Sequence, residues 1–180
     1  MKSKLSLGVC ILISLALVTF GLFCGTWKGF ADERAQVDAL LHGEDGVNTV
    51  LDYRGADGLN LCVVARRHLT DDPDVAALES AAQSLRSTQS SLAEKKRQDT
   101  RLSAAAELVA QKLQATPGFL QSERDKAYLG MLTADMAQLS QNAMITTYNE
   151  AAQEFNQLLA TRVSGTIAGF LQIQPCELFR

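Results

Sequence analysis

Histidine and cysteine side chains, which can act in catalysis or bind metals, are few in this chain, and they lie far apart. Its two histidines are His42 and His68, and its thiols outside the N-terminal apolar segment are Cys62 and Cys176. No phosphate-binding, dinucleotide-binding, zinc-protease or serine-hydrolase motif is present. Both histidines are expected to be solvated, and the thiols could pair in an oxidising compartment, although no spacing brings them together. We therefore expect no enzyme, no cofactor, no metal site and no small-molecule substrate.

Two charged clusters have structural explanations. Residues Thr70 to Asp74 combine hydroxyl and carboxylate side chains with Pro73, which is the composition of a helix start. A catalytic carboxylate cluster is the alternative, but capping accounts for every residue. The basic run from Lys95 to Arg97 is typical of a solvated helix face or a local break, in preference to a phosphate-binding patch.

Composition excludes two broad classes of protein. The 180 residues are 47% hydrophobic and 21% charged, close to globular averages, so wholesale disorder is excluded. The net charge is −3, and removing Lys2 and Lys4 from the 17 basic residues leaves 15 against 20 acidic ones, a charge of −5. A nucleic-acid binder needs a basic field, so we expect no nucleic-acid partner.

The N-terminal apolar segment is long enough to cross a membrane. Residues 5–27 carry no charge, and as a helix they reach about 34 Å, against about 30 Å for the hydrocarbon core of a bilayer. A signal peptide cleaved after Ala31 and a lipoprotein signal ending at Cys24 are the alternatives. A cleaved signal has a shorter apolar region, and Phe23 before Cys24 is too large for a lipoprotein signal. We therefore predict an uncleaved span in contact with the lipid bilayer.

The ends of the span predict its orientation and a contact between spans. Trp27 and Phe30 lie where an interfacial aromatic belt belongs. Basic groups near the two ends favour a single-pass protein of the cell membrane, with its body on the non-cytoplasmic side. Gly21 and Gly25 form a G-x-x-x-G motif, which either supports self-association or is simply tolerated in a lipid helix.

Apolar residues recur at helical spacing throughout the rest of the chain. The helix of the span is expected to continue as far as Gly43 and Gly46. A second helical piece begins near Val47, and residues 54–58 are expected to form a kink or turn.

Two longer helices are predicted after this turn. An apolar stripe that includes Gln89 runs along one helix from Val75 to Leu113, weakened at Lys96 and Asp99. After a turn at residues 116–118, a second helix from Phe119 to about Arg162 would reach about 60 Å. Helices of this length need partners, so the pattern predicts an antiparallel bundle.

The fold predicted for the whole chain is all-α and four-helix-bundle-like. A short tail of residues 1–4 precedes the span of residues 5–27, and one domain of residues 28–180 follows. Residues 164–173 carry no charge and are too short to span a membrane. We expect them to fold back on the bundle as a short helix that ends near Pro175; an interfacial helix entering lipid is the alternative.

The C-terminal sequence resembles the signature of the LemA family. The matching residues are Tyr148, Asn149 and Ala151, then Phe155 and Asn156, then Ile167, Ala168 and Gly169, and finally Pro175 and Phe179. After the span, Gln36, Val37 and Asp38 resemble the Q-V-D of the family. Its usual R-R-x-D-L-I-P-N-L-V run is replaced by residues 42–50, so the chain is identified as a divergent member. The resemblance implies a bacterial envelope protein with one N-terminal membrane helix, a helical bundle and no established catalytic activity.

The signature residues also have a physical interpretation. Tyr148, Ala152 and Phe155 form a large-small-large ridge against which a neighbouring helix can pack. Asn149 and Asn156 lie one position further round, where an amide at the edge of a buried seam can fix register. Contact with a partner is the alternative role for these two residues.

Two classes of function are compatible with these features. The favoured one is a non-enzymatic membrane-tethered scaffold or interaction module that binds envelope proteins or itself. The other is the sensory or adaptor domain of an envelope signalling system. A pocket with convergent polar groups would favour the second, and an exposed apolar strip would favour the first.

Overall fold

The computed structural model of the chain describes residues 6–180, apart from the side chains of residues 162–164. Within that range the regular secondary structure is helical, without strands. The helices are α1 (Leu7–His42), α2 (Val47–Ala65), α3 (Pro73–Arg86), α4 (Leu92–Gln114), α5 (Pro117–Leu120), α6 (Glu123–Ser140), α7 (Ala143–Ala160) and α8 (Arg162–Phe170). A long apolar N-terminal helix followed by a packed bundle confirms the predicted all-α class. The predicted tail of residues 1–4, and Leu5 of the predicted span, lie outside the described residues.

Helix α1 passes from the apolar segment into the bundle without a break, as the sequence predicts. Its residues from 7 to 25 are all exposed, whereas Phe30 and Val37 are each 3% exposed. The amide of Gly43 closes the last turn by donating to the carbonyl oxygen of Ala39 at 2.8 Å, and the helix ends at His42 because the backbone of Gly43 is extended, with ψ at 171°. Phe30 therefore belongs to the protein core, and its expected place in an interfacial aromatic belt is wrong.

Helices α1 and α2 run antiparallel to α6 and α7. Three contacts mark this alignment along the molecule: Arg34 with Phe155, Arg54 with Met136, and Arg67 with Asp125. The single helix predicted from Phe119 to Arg162 is wrong, because it is divided at residues 121–122 and again at residues 141–142. Asn142 caps α7 by accepting a hydrogen bond from the Met144 amide at 2.9 Å.

The predicted stripe from Val75 to Leu113 is also divided into two helices, α3 and α4. Asp72 caps α3 by accepting from the Asp74 amide at 2.8 Å, which confirms the predicted helix start. Residues 87–91 form a loop that contains Gln89, and Ser91 then caps α4. Serine hydroxyls compete for backbone groups, so a serine-rich stretch ends one helix and starts the next.

The turn predicted at residues 54–58 is wrong, because α2 is continuous from Val47 to Ala65. Its glycines allow neighbouring helices to approach closely. A Cβ added at Gly55 would lie 2.9 Å from the carbonyl oxygen of Ala82 on α3, and one added at Gly58 would lie 2.7 Å from Cδ1 of Leu102 on α4. The small residues are needed by the packing of α2 against α3 and α4.

Four antiparallel helices, α2, α3, α4 and α6, form the larger part of the bundle. Their core is aliphatic and includes Leu51, Leu61, Leu78, Leu85, Leu102, Val109, Leu113 and Leu132. Helix α2 packs closely against α3 and α6, whereas α4 and α6 approach each other at few positions. An open groove therefore separates α4 from α6. Beside this part, α1 and α7 form a second pair that α8 contacts.

Candidate functional site

The signature residues of α7 bind an extended segment, residues 173–180, which we call the strap. Asn156 accepts a hydrogen bond from the Cys176 amide at 2.7 Å and donates one to its carbonyl oxygen at 2.9 Å. Asn149 makes the same pair with Phe179, at 2.8 and 3.1 Å. Seven residues of helix and three of extended chain each rise about 10 Å, so the spacing of the two asparagines along α7 matches the spacing of the two strap residues that they bind.

The strap also contacts α1 and α4. Arg34 of α1 donates to the carbonyl oxygen of Gln174 at 2.7 Å. The carboxylate of Glu177 accepts from the Leu92 amide at 3.1 Å, at the positive end of the α4 dipole. The ammonium of Lys96 lies 4.9 Å from the ring centre of Phe179. The strap thus joins three helices that are distant in sequence.

Tyr148 completes this arrangement from the interior. Its hydroxyl donates to the carbonyl oxygen of Glu177 at 2.6 Å, and the residue is 1% exposed. Burial raises the pKa of Tyr148 to about 12, with the Cys176 thiol and the Glu177 carboxylate as further causes. The sequence predicts that Tyr148 packs against a neighbouring helix and that the amides of Asn149 and Asn156 fix register at the edge of a buried seam. The amides hold a register, but it is the register of the strap.

The other signature residues are divided between the core and the surface. Val37, Phe155, Ala168 and Phe179 are buried, and Ala151 and Ile167 are half-buried. Those with exposed side chains or backbone are Gln36, Asp38, Gly169 and Pro175. Gly21 and Gly25 lie on the exposed apolar part of α1, where an added Cβ would meet nothing within 4 Å. The structure brings neither of these two glycines to another described element.

The groove between α4 and α6 is an apolar channel with a polar rim. Its volume is about 680 Å³. The apolar wall residues are Ala106, Ala110, Phe119, Leu120, Leu129, Met136 and Ala137. The polar ones include Glu107, Gln114, Lys126, Thr133 and Ser140. Gly130 faces open space, since a Cβ added there would meet nothing within 4 Å.

A buried ion pair lies at one end of this groove. Arg54 is 1% exposed, and its guanidinium donates to the carbonyl oxygen of Met136 at 2.7 Å and to the Ser103 hydroxyl at 2.8 Å. Its Nε lies 2.8 Å from a carboxylate oxygen of Asp99, in ionic contact but out of line for a hydrogen bond. Burial lowers the pKa of Arg54, and Asp99 opposes that shift. The pair fixes the spacing of α2, α4 and α6.

A second, polar cleft lies between α1, α2, the α3–α4 loop and the strap. Its volume is about 820 Å³. Lys95 lines it and is 6% exposed, contrary to the solvated face that the sequence suggested for residues 95–97. The Lys95 ammonium donates to Asn48 at 2.7 Å, and the Asn48 amide lies 2.9 Å from Nδ1 of His42. Burial lowers the pKa of Lys95, and the field of Asp52 opposes that shift.

Lys95 is the unneutralised cation of this cleft. Arg34 pairs with Asp38 at 3.4 Å, and Arg86 pairs with Asp52 at 2.8 Å. Among the described side chains, no carboxylate lies within 4 Å of the Lys95 ammonium. An anion that entered the cleft would therefore find one positive charge without an ionic partner.

His68 is held in a site that the sequence did not indicate. Its Nε2 lies 2.8 Å from Asp125, whose other oxygen accepts from Arg67 at 2.6 Å, and its ring meets the ring of Phe119 edge-on at 5.4 Å. The expectation of a solvated His68 is therefore wrong. The hydrogen bond from His68 is the largest of the effects that lower the pKa of Asp125. The partners lie more than 50 residues apart, so no local pattern could have shown them.

The thiols and carboxylates do not form a centre for redox or metal chemistry within the described residues. Cys62 and Cys176 are both free and buried. Burial raises the pKa of Cys62 to about 11, which disfavours its reactive thiolate. Among residues 6–180, no group of three His, Cys, Asp or Glu side chains could hold a metal ion.

The fold and these sites were compared with known proteins. Searches with the chain against protein-family models, curated proteins and solved structures gave no match. The structure itself is therefore the basis for inferring function.

Proposed function

We propose that this protein is a single-pass membrane-anchored interaction module whose bundle binds an apolar helix of an envelope protein in the α4–α6 groove. The observation that carries this proposal is the open apolar channel between two helices of an otherwise closed four-helix arrangement. A helix in such a channel would complete the packing that α4 and α6 lack. Glu107 and Lys126 on the rim offer charges of both signs to the polar side of that helix.

The anchor in this proposal is the exposed apolar part of α1. This helix is long and apolar enough to cross a membrane, and none of its most apolar window is buried in the bundle. A signal sequence near an N-terminus meets the same criteria. Cleavage after Ala31 would remove Phe30 from the core, where it is 3% exposed. Its burial supports retention of the span. The basic groups near the two ends of the span support a body on the non-cytoplasmic side.

Site-specific photo-crosslinking in intact membranes tests the groove. A photoreactive amino acid at Glu107, on the rim, should give an adduct with a helical membrane protein. A Cβ added at Gly130 would meet nothing within 4 Å, and Gly130→Leu places an apolar side chain at the channel wall. Leucine is also a better helix former than glycine, so the fold of this variant should be at least as stable. The adduct should disappear in Gly130→Leu and persist in Gln138→Leu, which adds the same side chain at an exposed position outside the groove. An adduct unaffected by Gly130→Leu would refute the proposal.

A ligand-sensing role is the second candidate, and the unneutralised Lys95 favours it. An anionic ligand in the polar cleft would contact α1, α2, α4 and the strap together, so its binding would be coupled to their packing. Inorganic phosphate and acetate are suitable probes. A probe that raises the melting temperature of the wild type, but not of Lys95→Gln, would support sensing. Equal shifts in both proteins would exclude Lys95 as the anion contact.

Self-association through Gly21 and Gly25 is a separate proposal for the span. Neither glycine has a side chain that would keep a second helix or lipid away from the backbone of α1. Single-cysteine crosslinking in membranes should show a dimer that is lost when both glycines are replaced by leucine. Dimers that survive this change would place the contact elsewhere.

Membership of the LemA family also stays a proposal. Its support is that the two parts of the resemblance are in contact, since Asn149 and Asn156 hold the strap that contains Pro175 and Phe179. A contact of this kind would explain why both motifs occur in one chain. An experimental structure of a LemA protein in which the matching asparagines do not hold such a strap would count against the proposal.

A further inference from the structure

Helix α8 lies at the end of the bundle from which the apolar segment leaves. Helix α7 runs antiparallel to α1, and Arg34 lies 5.9 Å from the ring centre of Phe155. The chain therefore approaches the apolar segment as α7 proceeds to Ala160, and α8 begins two residues later. Helix α8 packs against both α1 and α7. It is thus placed beside the part of α1 that follows the span.

The burial of Phe30 supports this placement. Phe30 is three residues beyond Trp27, yet it is 3% exposed, whereas Trp27 is 58% exposed. Ala168 of α8 is 4% exposed and belongs to the same core as Phe30. Three residues of helix rise about 4.5 Å, so the bundle begins almost directly below the last residue of the span.

The outer side of α8 carries an exposed aromatic residue. Phe170 is 79% exposed, more than any other large apolar side chain described outside the apolar segment of α1. Ile167 and Leu171 are half-buried, so the inner side folds back on the bundle as the sequence predicts. The sequence carries no charged residue from 163 to 176. Nothing in this stretch would therefore oppose entry into the interface between water and lipid.

We propose that α8 lies on the bilayer surface and that Phe170 inserts at the boundary between headgroups and acyl chains. This inference rests on the proposed anchor, because the bilayer is the occupant only if α1 spans it. Removing the phenylalanine side chain from water favours insertion. The bundle would then contact the membrane at two places, the span and α8.

Tryptophan fluorescence in vesicles of phosphatidylcholine tests this contact. Trp27 is the one tryptophan of the chain, so Trp27→Phe provides a background in which Phe170→Trp reports from α8. Because Phe170 is 79% exposed, a tryptophan there should not disturb the core. Its emission should shift to shorter wavelength and be quenched by lipid brominated near the top of the acyl chains. Leu120→Trp in the same background is the control, because Leu120 is 50% exposed in α5, beyond the far end of α2.

Three results would be decisive. Quenching at position 170 without quenching at 120 supports the inference. No quenching at position 170, while Trp27 of the wild type is quenched, overturns the inference and leaves the proposed anchor intact. Protection of residue 170 from aqueous iodide would in that case assign the outer side of α8 to a protein partner. Absence of quenching at both 27 and 170 overturns the anchor together with the inference.

Discussion

Asn156 exchanges two hydrogen bonds with the backbone of Cys176, 20 residues further along the chain. One side-chain amide thereby satisfies both the donor and the acceptor of a strap residue, as a neighbouring strand would in a sheet. Asn149 repeats the arrangement at Phe179. The strap is consequently held by side chains at fixed points, and each point can be removed separately.

Replacing Asn156 should release the strap without unfolding the bundle. Asn156→Ala removes both hydrogen bonds and leaves the Cys176 backbone groups unsatisfied, so we expect a loss of about 1–3 kcal/mol in unfolding free energy. Cys176, 8% exposed, should then react faster with a thiol reagent, whereas Cys62, 1% exposed, should not. Labelling followed by mass spectrometry distinguishes the two thiols. Gln153→Ala, at an exposed position of α7, is the control and should change neither quantity. Unchanged Cys176 labelling in Asn156→Ala would contradict this role.

The two kinds of helical glycine should respond oppositely to alanine. Gly55→Ala places a methyl group 2.9 Å from the Ala82 carbonyl oxygen and 2.5 Å from Cγ of Arg86, so α2 and α3 must separate, at a cost of about 1–3 kcal/mol. Gly130→Ala meets nothing and should stabilise the fold by about 0.5–1 kcal/mol. Urea unfolding of both variants measures the difference. Equal effects would mean that the close approach at Gly55 does not govern the packing.

Breaking the ion pair of Arg54 and Asp99 should lower the unfolding free energy more than replacing both residues. Asp99→Asn leaves the guanidinium buried without its counter-charge, and we expect a loss of roughly 3–5 kcal/mol. Replacing both residues by leucine should recover much of that loss, because no uncompensated charge remains. Arg86→Ala breaks an exposed pair and should cost about 0–1 kcal/mol. A double variant less stable than Asp99→Asn would show that the pair contributes beyond charge compensation.

The buried phenol of Tyr148 should lower the unfolding free energy at alkaline pH. Its pKa is raised to about 12 in the folded protein, whereas tyrosine in an unfolded chain ionises near 10. The folded state therefore holds the proton to higher pH, so this contribution is complete below about pH 10 and is lost as the pH rises through about 12. Tyr148→Phe should be less stable at pH 7 by about 1 kcal/mol, because the hydrogen bond to Glu177 is missing.

The comparison between wild type and variant isolates this residue. Between pH 10 and 12 the unfolding free energy of the wild type should fall more steeply than that of Tyr148→Phe, with a difference on the order of 2 kcal/mol. Guanidinium unfolding at a series of pH values gives both slopes. Parallel slopes would show that the buried phenol does not couple ionisation to folding.

Local signals in the sequence were sufficient for several elements. The cap at Asp72 and Pro73, the end of α1 at Gly43 and the burial of Val75 and Leu113 at the two ends of the apolar stripe are all confirmed. These features depend on residues within a few positions of one another. The breaks at residues 87–91, 121–122 and 141–142 were not predicted, because apolar residues lie on both sides of each break.

Features that depend on a distant partner could not be predicted from the sequence. Gly55 and Gly58 suggested a turn, since the sequence shows the flexibility of glycine but not the helix packed against it. Lys95 binds Asn48, which lies 47 positions earlier in the sequence. The strap residues lie 20 and 30 positions after the α7 asparagines that bind them. The LemA resemblance includes Tyr148, Asn149 and Asn156, and the hydrogen bonds of these side chains show that they hold the strap.

Helix α1 is uninterrupted from Leu7 to His42, so it forms a stiff rod of about 54 Å that begins in the apolar segment and ends in the bundle. No flexible linker lies at the junction near Trp27 in the described chain. In the anchored protein, the bundle could not rotate independently of the span. A lateral force on α4 or α6 would therefore tilt the whole of α1 within the lipid. The direction of the force that a bound protein exerts on the bundle would thereby set the angle at which the span crosses the membrane.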